Sequence, residues 1–382
     1  MINSLELFSG AGGLAKGLEL AGARHKAFVE WNADACRTLR ANYPPEIVHE
    51  TDIREFTYQG FKDIDVIAGG PPCQPFSLGG KAKGWNDERD MFPNAIASIR
   101  NFAPKLFMFE NVKGLLRASF SDYFRYIILQ LTYPGVTFGS DDWKENLESL
   151  EKINSSGKYD GLKYKVIYKM VNAANYGVPQ KRERVIIVGI RSDLDVSWEF
   201  PEETHSEDAL LWDKYVTMSY WEKHNIRPNS TELEKAKKER ERLYNIYGMF
   251  RPNSKPWVTV RDAISNIPQS VFDRKEIKTE HRHKEGAKEY IGHTGSDIDM
   301  PSKTIKAGGH GVPGGENMIK FEDGTVRYYT IFEAKRIQTF PDDYPIIGSW
   351  SEAMRQLGNA VPVKLAYVLS SSLFESVFGK SK

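Results

Sequence analysis

Only two cysteines, Cys36 and Cys73, occur in 382 residues, which excludes a disulfide framework and a cysteine-rich zinc site. Neither sign of charge dominates. The 52 Lys and Arg face 51 Asp and Glu, for a net charge of +1. A uniformly basic DNA-coating protein is therefore excluded, while a local basic face is not. No apolar run approaches the roughly 18 residues of a membrane span. The start, MINSLELFSG, lacks the basic segment and long apolar stretch of a signal peptide. These absences predict a soluble, cytoplasmic protein. What is present is ordinary for a globular chain, with 40% hydrophobic and 27% charged residues, enough for one large domain or two.

The first 195 residues repeat one rhythm. Short apolar runs at Leu5–Phe8, Ala27–Val29, Val66–Ala68, Leu106–Phe109 and Val185–Val188 each end in a polar or glycine-rich turn. A helix-like stretch often follows. Leu14, Leu18 and Ala21, for example, share one helical face, with Gly22 as a stop. Strands alternating with helices predict a parallel α/β sheet. From about residue 198 the rhythm breaks and Trp, Pro and charge dominate. Residues 231–247 read as one charged helix, and 223–255 hold nine Lys or Arg against four Asp or Glu. Residues 134–163, rich in Gly, Ser and charge, read as a surface insertion. From about Ala353, Val363, Ala366, Val368 and Leu369 fall in a helical window that returns to the first domain.

Ligands of open α/β sheets bind at the carboxyl ends of the strands, and the unusual residues stand there. The first run leads into Ser9-Gly10-Ala11-Gly12-Gly13, a turn that allows close backbone approach to a ligand. The next run ends at Glu30, a spacing that suits a ribose hydroxyl pair. The G-x-G-x-x-G phosphate fingerprint is missing, which points to an adenosine ligand without a pyrophosphate. Taken alone, the cluster fits a plain strand-to-helix turn equally well. The third run leads into GGPPCQPFS, where two prolines fix the direction of the Cys73 thiol. A cysteine at a strand end can be nucleophilic, whereas Cys36 reads as a small apolar residue of helix 33–41. The fourth run ends in Glu110-Asn111-Val112, where a partly desolvated carboxyl suits a proton donor. Alternation puts Gln180, Arg182 and Arg184 on one face of a strand, able to hold a phosphate or a base carbonyl. A solvated charge run is the commoner reading of such a string. The loop 78–86, with three glycines and two lysines, reads as a cover for a bound nucleotide or as plain surface.

In this order the segments LELFSGAGG, FVEW, TDI (51–53), GGPPCQPFS, FENV, QKRERV, RIQTFPDDY (336–344) and GNAVP (358–362) resemble the DNA cytosine-5 methyltransferases of bacterial restriction–modification systems. The resemblance covers both ends of the chain; the middle holds one matching segment, PSKTIKAGGHG (301–311). It implies a Rossmann-like S-adenosylmethionine-dependent methyltransferase sheet with a second, smaller target recognition domain. Residues 1–197 are then the catalytic and cofactor-binding domain, 198–351 the target recognition domain, and 352–382 a segment packing back on the first. The implied reaction moves a methyl group from S-adenosylmethionine to carbon 5 of a flipped cytosine in duplex DNA, leaving S-adenosylhomocysteine and using no metal. Cys73 would attack carbon 6, Glu110 would protonate N3, and Arg184 would hold O2 with Arg182 beside it. Phe8, Gly10, Gly12, Gly13, Glu30, Trp31, Asp52, Ile53, Pro72 and Asn359 would line the methyl-donor site, with Glu30 on the ribose, Trp31 near the adenine and Asp52 on its amine. Two segments depart from the family pattern. Arg89-Asp90-Met91-Phe92-Pro93 replaces the usual Arg-x-x-Leu-Phe, and Gly-Asn-Ala-Val replaces Gly-Asn-Ser-Val.

The implied partners are double-stranded DNA and a separately acting restriction endonuclease, with the methyltransferase a monomer. Three other readings compete. A tRNA cytosine-5 methyltransferase shares the segments but is expected to have a much shorter middle region. A silent DNA-binding member would lack Cys73 or Glu110. A Rossmann-like small-molecule methyltransferase leaves Cys73, Glu110 and the arginines without purpose.

Overall fold

The computed structural model describes residues 1–72, 90–140, 142–267, 279–291, 293–307 and 317–379. The chain divides into two compact units. Unit one holds Met1–Val171, Glu183–Phe200 and Ala366–Lys382; unit two holds Asn172–Arg182 and Pro201–Leu365. These limits differ from the expected boundaries at 197 and 351. Residues 172–182 fall in unit two, and the returning tail joins unit one only from Ala366.

Unit one alternates strand and helix as the apolar runs predict. In chain order it contains β1 (Ile2–Leu7), α1 (Gly13–Leu20), β2 (Ala23–Glu30), α2 (Ala33–Asn42), β3 (Val48–Glu50) and β4 (Val66–Gly69). α3 (Phe92–Phe102), β5 (Leu106–Val112), α4 (Ser121–Thr132), α5 (Trp143–Ser156), β6 (Tyr164–Asn172) and β7 (Glu183–Arg191) follow. The sheet order is β3-β2-β1-β4-β5-β7-β6. β3 through β5 pair in parallel, and β7 runs antiparallel to β5. β4 is buried at every position, as a strand covered on both faces must be. The chain moves outward from β1 on one side and then, at β4, on the other, so the β1–β4 crevice is the switch point where such sheets bind ligands. Gly69 is required there, because a Cβ would stand 2.2 Å from the Leu7 carbonyl oxygen.

The expected surface insertion at 134–163 is corrected. Its middle is α5, capped by Asp142, whose Leu150 is fully buried in the core with Tyr133 and Tyr164. The glycines of the segment, Gly135, Gly139, Gly157 and Gly161, all lie outside α5, so composition alone hid a packed helix.

Unit two contains β8 (His205–Ser206), α6 (Glu207–Tyr215), α7 (Ser219–His224), α8 (Ser230–Tyr247), β9 (Lys255–Pro256) and α9 (Val260–Ile264). After these come β10 (Ser296–Asp297), β11 (Met318–Lys320), β12 (Val326–Tyr328), α10 (Ile331–Ile337) and α11 (Trp350–Asn359). The charged helix α8 is anchored rather than solvated. Its Glu232 meets buried Lys214 at 3.0 Å and Tyr215 Oη at 2.8 Å. Burial alone would raise the Glu232 carboxyl, but the Lys214 charge and these hydrogen bonds bring it down to about 2. Much of the basic excess is spent internally: Lys223 pairs with Asp262, Lys235 with Glu232, Arg242 with Asp208, and Arg251 with Asp213. Lys237 and Lys238 are exposed.

The last helix, α12 (Val363–Phe378), packs in unit one from Ala366 onward. A Cβ on Gly17 of α1 would stand 2.3 Å from Ala366 Cβ, so the two helices touch backbone to backbone. By length and composition the stretch Trp350–Phe378 could cross a membrane, with mean hydropathy 1.2 over its most apolar window, half of which is buried. It is divided into α11 and α12, and Leu369 and Leu373 are core residues.

Candidate active site

The first strand end is a strained turn. Phe8, Gly10 and Gly12 take left-handed backbone, at φ 52, 52 and 82°, and Gly12 caps α1 directly before Gly13. For Phe8, which has a side chain, that conformation costs about 1–2 kcal/mol. The turn wraps the end of β2. Gly10 N donates to Glu30 Oε2 and Asn32 N to Oε1, both at 2.8 Å. Glu30 is thereby held, 7% exposed, at the end of its strand. A Cβ on Gly10 would meet nothing within 4 Å, so the turn leaves open space. Trp31 projects next to Glu30, 76% exposed. After β3, Ile53 is buried and Asp52 is gripped by Arg54 Nε and Nη2 at 3.0 and 2.6 Å. Those hydrogen bonds hold the Asp52 carboxyl below its usual range. A fixed carboxylate, an exposed indole, a second carboxylate and a side-chain-free turn, on neighbouring strand ends, fit an adenosine-type ligand.

Across the crevice, β4 leads into Gly70-Pro71-Pro72, with Pro72 partly exposed. Asn111 of β5, which sequence reasoning passed over, is buried and donates from Nδ2 to the Pro71 carbonyl at 2.9 Å. Its place directly after Glu110 was the available signal. Glu110 is 8% exposed, and Arg184 Nε lies 2.7 Å from its Oε1. Strand register explains the meeting. Arg184 stands opposite Val112, so Glu110 is its diagonal neighbour on the same face. A Cβ at Gly70 would be 3.7 Å from Glu110 Oε2, which places the β4 exit beside this carboxylate. Cys73 and the loop 78–86 lie outside the described residues.

Arg182 departs from its expected role. β7 begins only at Glu183, so Gln180, Arg182 and Arg184 do not share one strand face. Arg182 belongs to unit two and is 1% exposed. It donates to the carbonyls of Gly358 at 2.9 Å and Ile305 at 3.4 Å. Gln180 pairs with Gln338 at 3.2 Å and accepts from Ile305 N at 3.1 Å. Four of the matching segments thus meet in a buried polar hub, because a fully buried guanidinium must spend its donors on carbonyls. Asn359, the last residue of α11, is exposed, also in unit two.

Cys36 is inert. Burial, aided by the Glu30 and Glu50 carboxylates, pushes its thiol up to about 12. Iodoacetamide at pH 8 is therefore expected to leave Cys36 unmodified in native protein until the chain unfolds. Peptide mapping by mass spectrometry checks this, and alkylated Cys36 in native protein contradicts it. Among the described residues no group of three or more His, Cys, Asp or Glu is arranged to hold a metal.

The chain is 29% identical to the type II methyltransferase M.NgoMIV of Neisseria gonorrhoeae, over 98% of this chain and 97% of the relative. It is 32% identical to the type II methyltransferase M.PspPI of Psychrobacter sp. (strain TA137), over 97% of this chain and 78% of that one. Among solved structures, a prophage-encoded DNA modification methyltransferase of E. coli has the same fold, with TM-score 0.61 and 18% identity, over 99% of this chain and 100% of the other. The sequence model of the C-5 cytosine-specific DNA methylases matches residues 2–137 and 143–375. The chain belongs to the C-5 cytosine-specific DNA methylase family and is a DNA cytosine-5 methyltransferase.

Proposed function

We propose that the protein methylates carbon 5 of a flipped cytosine within a specific duplex DNA sequence, with S-adenosylmethionine as donor and Cys73 as nucleophile. The observation that carries this is the Glu110–Arg184 pair, 2.7 Å apart and set beside the Gly70–Pro72 exit that leads directly into Cys73. S-adenosylmethionine, when bound, supplies an electrophilic methyl group. Glu30, Trp31, Asp52, Ile53, Phe8 and the glycine turn Gly10–Gly13 would hold its adenosine part, with Pro72 and Asn359 completing the set. Cys73 forms a bond to carbon 6 while Glu110 protonates N3, which makes carbon 5 nucleophilic. Arg184 keeps Glu110 oriented and supplies donors for O2. Once carbon 5 carries the methyl group, loss of its proton to solvent and of the Cys73 thiolate, with return of the N3 proton to Glu110, restores the ring. The base must leave the stack, because its reacting atoms are closed off inside a duplex. Arg182 is buried and spends its donors on the Gly358 and Ile305 carbonyls.

Unit two is the target recognition region in this reading, with exposed residues such as Lys237 and Lys238 on the phosphates. The enzyme works as a monomer in the cytoplasm and protects host DNA from a separate endonuclease, as befits a relative of type II methyltransferases.

Covalent capture tests the proposal. Bisulfite sequencing of DNA from expressing cells first maps the modified cytosine. A duplex with 5-fluorocytosine at that position has no carbon-5 proton to lose, so a denaturation-resistant protein–DNA adduct is expected with S-adenosylmethionine. The adduct should be missing in Cys73→Ala. Normal methylation without an adduct on fluorinated DNA sinks the thiolate mechanism, and capture of fluorinated tRNA instead of DNA moves the substrate to RNA.

A further inference from the structure

Pro72, at the exit of β4, and Met91, before α3, are joined: Met91 N donates to the Pro72 carbonyl at 3.2 Å. On the outgoing side, Asn111 holds the Pro71 carbonyl. On the returning side, Asp90 is held from two directions. Its Oδ1 accepts from Phe92 N at 3.2 Å, at the start of α3, and its Oδ2 accepts the hydroxyl of Tyr123. Tyr123 lies in α4, 8% exposed, with its ring against Trp143 at 5.3 Å and Tyr126 at 6.0 Å. It is thus a fixed post in the core with one polar atom, and that atom is spent on Asp90.

We propose that Tyr123, acting through Asp90, is a positioning residue for Cys73. The linkage has few soft joints. The hydroxyl fixes the Asp90 carboxylate, Asp90 is bonded to Met91, and Met91 holds the Pro72 carbonyl. The Pro72 carbonyl belongs to the planar peptide unit that leads into Cys73, so holding its oxygen orients that unit. Tyr123 touches no reacting atom in this account. The proposal rests on the reading of Cys73 as the nucleophile. Asp90 and Tyr123 fall outside the residues that carry the family resemblance, since Asp90 stands in the segment that departs from the usual pattern.

Tyr123→Phe removes the hydroxyl and keeps the packed ring. The single-turnover methylation rate is expected to fall about ten- to hundredfold, the scale of effect that a 1 Å misplacement produces. The dissociation constant for S-adenosylmethionine should stay within about twofold, because the Gly10–Glu30 turn is untouched. The alkylation rate of Cys73 should change with the methylation rate. Asp90→Ala should repeat the defect, and the double variant should be no slower than the worse single one, since both cut the same link. Asp90→Asn keeps Oδ1 for Phe92 N and offers Nδ2 to the Tyr123 hydroxyl oxygen, which can accept, so it should recover most of the rate, which loss of general stability does not predict. A Tyr123→Phe rate near wild type overturns the proposal, as does a multiplicative double variant or a parallel loss of donor affinity. The underlying reading fails separately, if Cys73→Ala itself still turns over.

Discussion

Glu110→Gln is expected to transfer methyl groups about 10²–10⁴-fold more slowly than the wild type in a single turnover, the range that general acid catalysis supplies. The amide retains the shape of the carboxyl and keeps an oxygen beside Arg184, whose Nε lies 2.7 Å from Glu110 Oε1. The transferable proton is lost, and with it the negative charge that faces Arg184. Carbon-6 addition needs that proton at N3, because without it the ring would have to carry the negative charge of the adduct. The defect should therefore appear in the capture step on 5-fluorocytosine as well as in product formation, while binding of unmodified duplex is preserved. Rapid-quench measurement with saturating enzyme isolates the step from product release. A rate within about tenfold of wild type, below the general-acid range, removes Glu110 from this role.

Lys335→Met is expected to destabilise the protein by about 3–5 kcal/mol, the cost of breaking a buried ion pair from one side. Lys335 is fully buried in α10, and its Nζ lies 2.6 Å from Glu280 Oε2. The same ammonium donates to the carbonyls of Asp342 and Tyr344 at 3.1 and 3.0 Å, while Glu280 Oε1 accepts from Ile346 N at 2.8 Å. One cation thus organises the turn after α10. Methionine fills much of the volume but leaves a buried carboxylate and two carbonyls without their donor. Adding Glu280→Gln removes the stranded charge and keeps an acceptor for Ile346 N, so the double variant should recover part of the loss. Urea midpoints, with slopes compared to confirm two-state unfolding, measure both. A single variant within about 1 kcal/mol of wild type contradicts the cost given for the pair.

Local sequence determined the alternation of strand and helix, because a strand buried on both faces needs a short continuous apolar run and a helix needs its stripe. Leu5–Phe8, Val66–Ala68 and Leu106–Phe109 announce β1, β4 and β5. Chemistry at strand ends was equally legible: Gly10, Glu30, Glu110 and the prolines before Cys73 stand directly after those runs. Packed segments with weak composition were harder, as α5 shows, since one buried Leu150 among charged residues leaves little pattern to read. Partners were harder still. Alternation set Arg182 and Arg184 on one face, yet only the tertiary structure sent Arg182 into a buried hub and Arg184 to Glu110. Four of the nine lysines and arginines in 223–255 read as basic surface until their carboxylates came into view. The period of a pattern tells which way a side chain points. What it meets depends on which strand or helix lies alongside, here β7 placed antiparallel to β5, and that is settled by contacts between residues far apart in the chain.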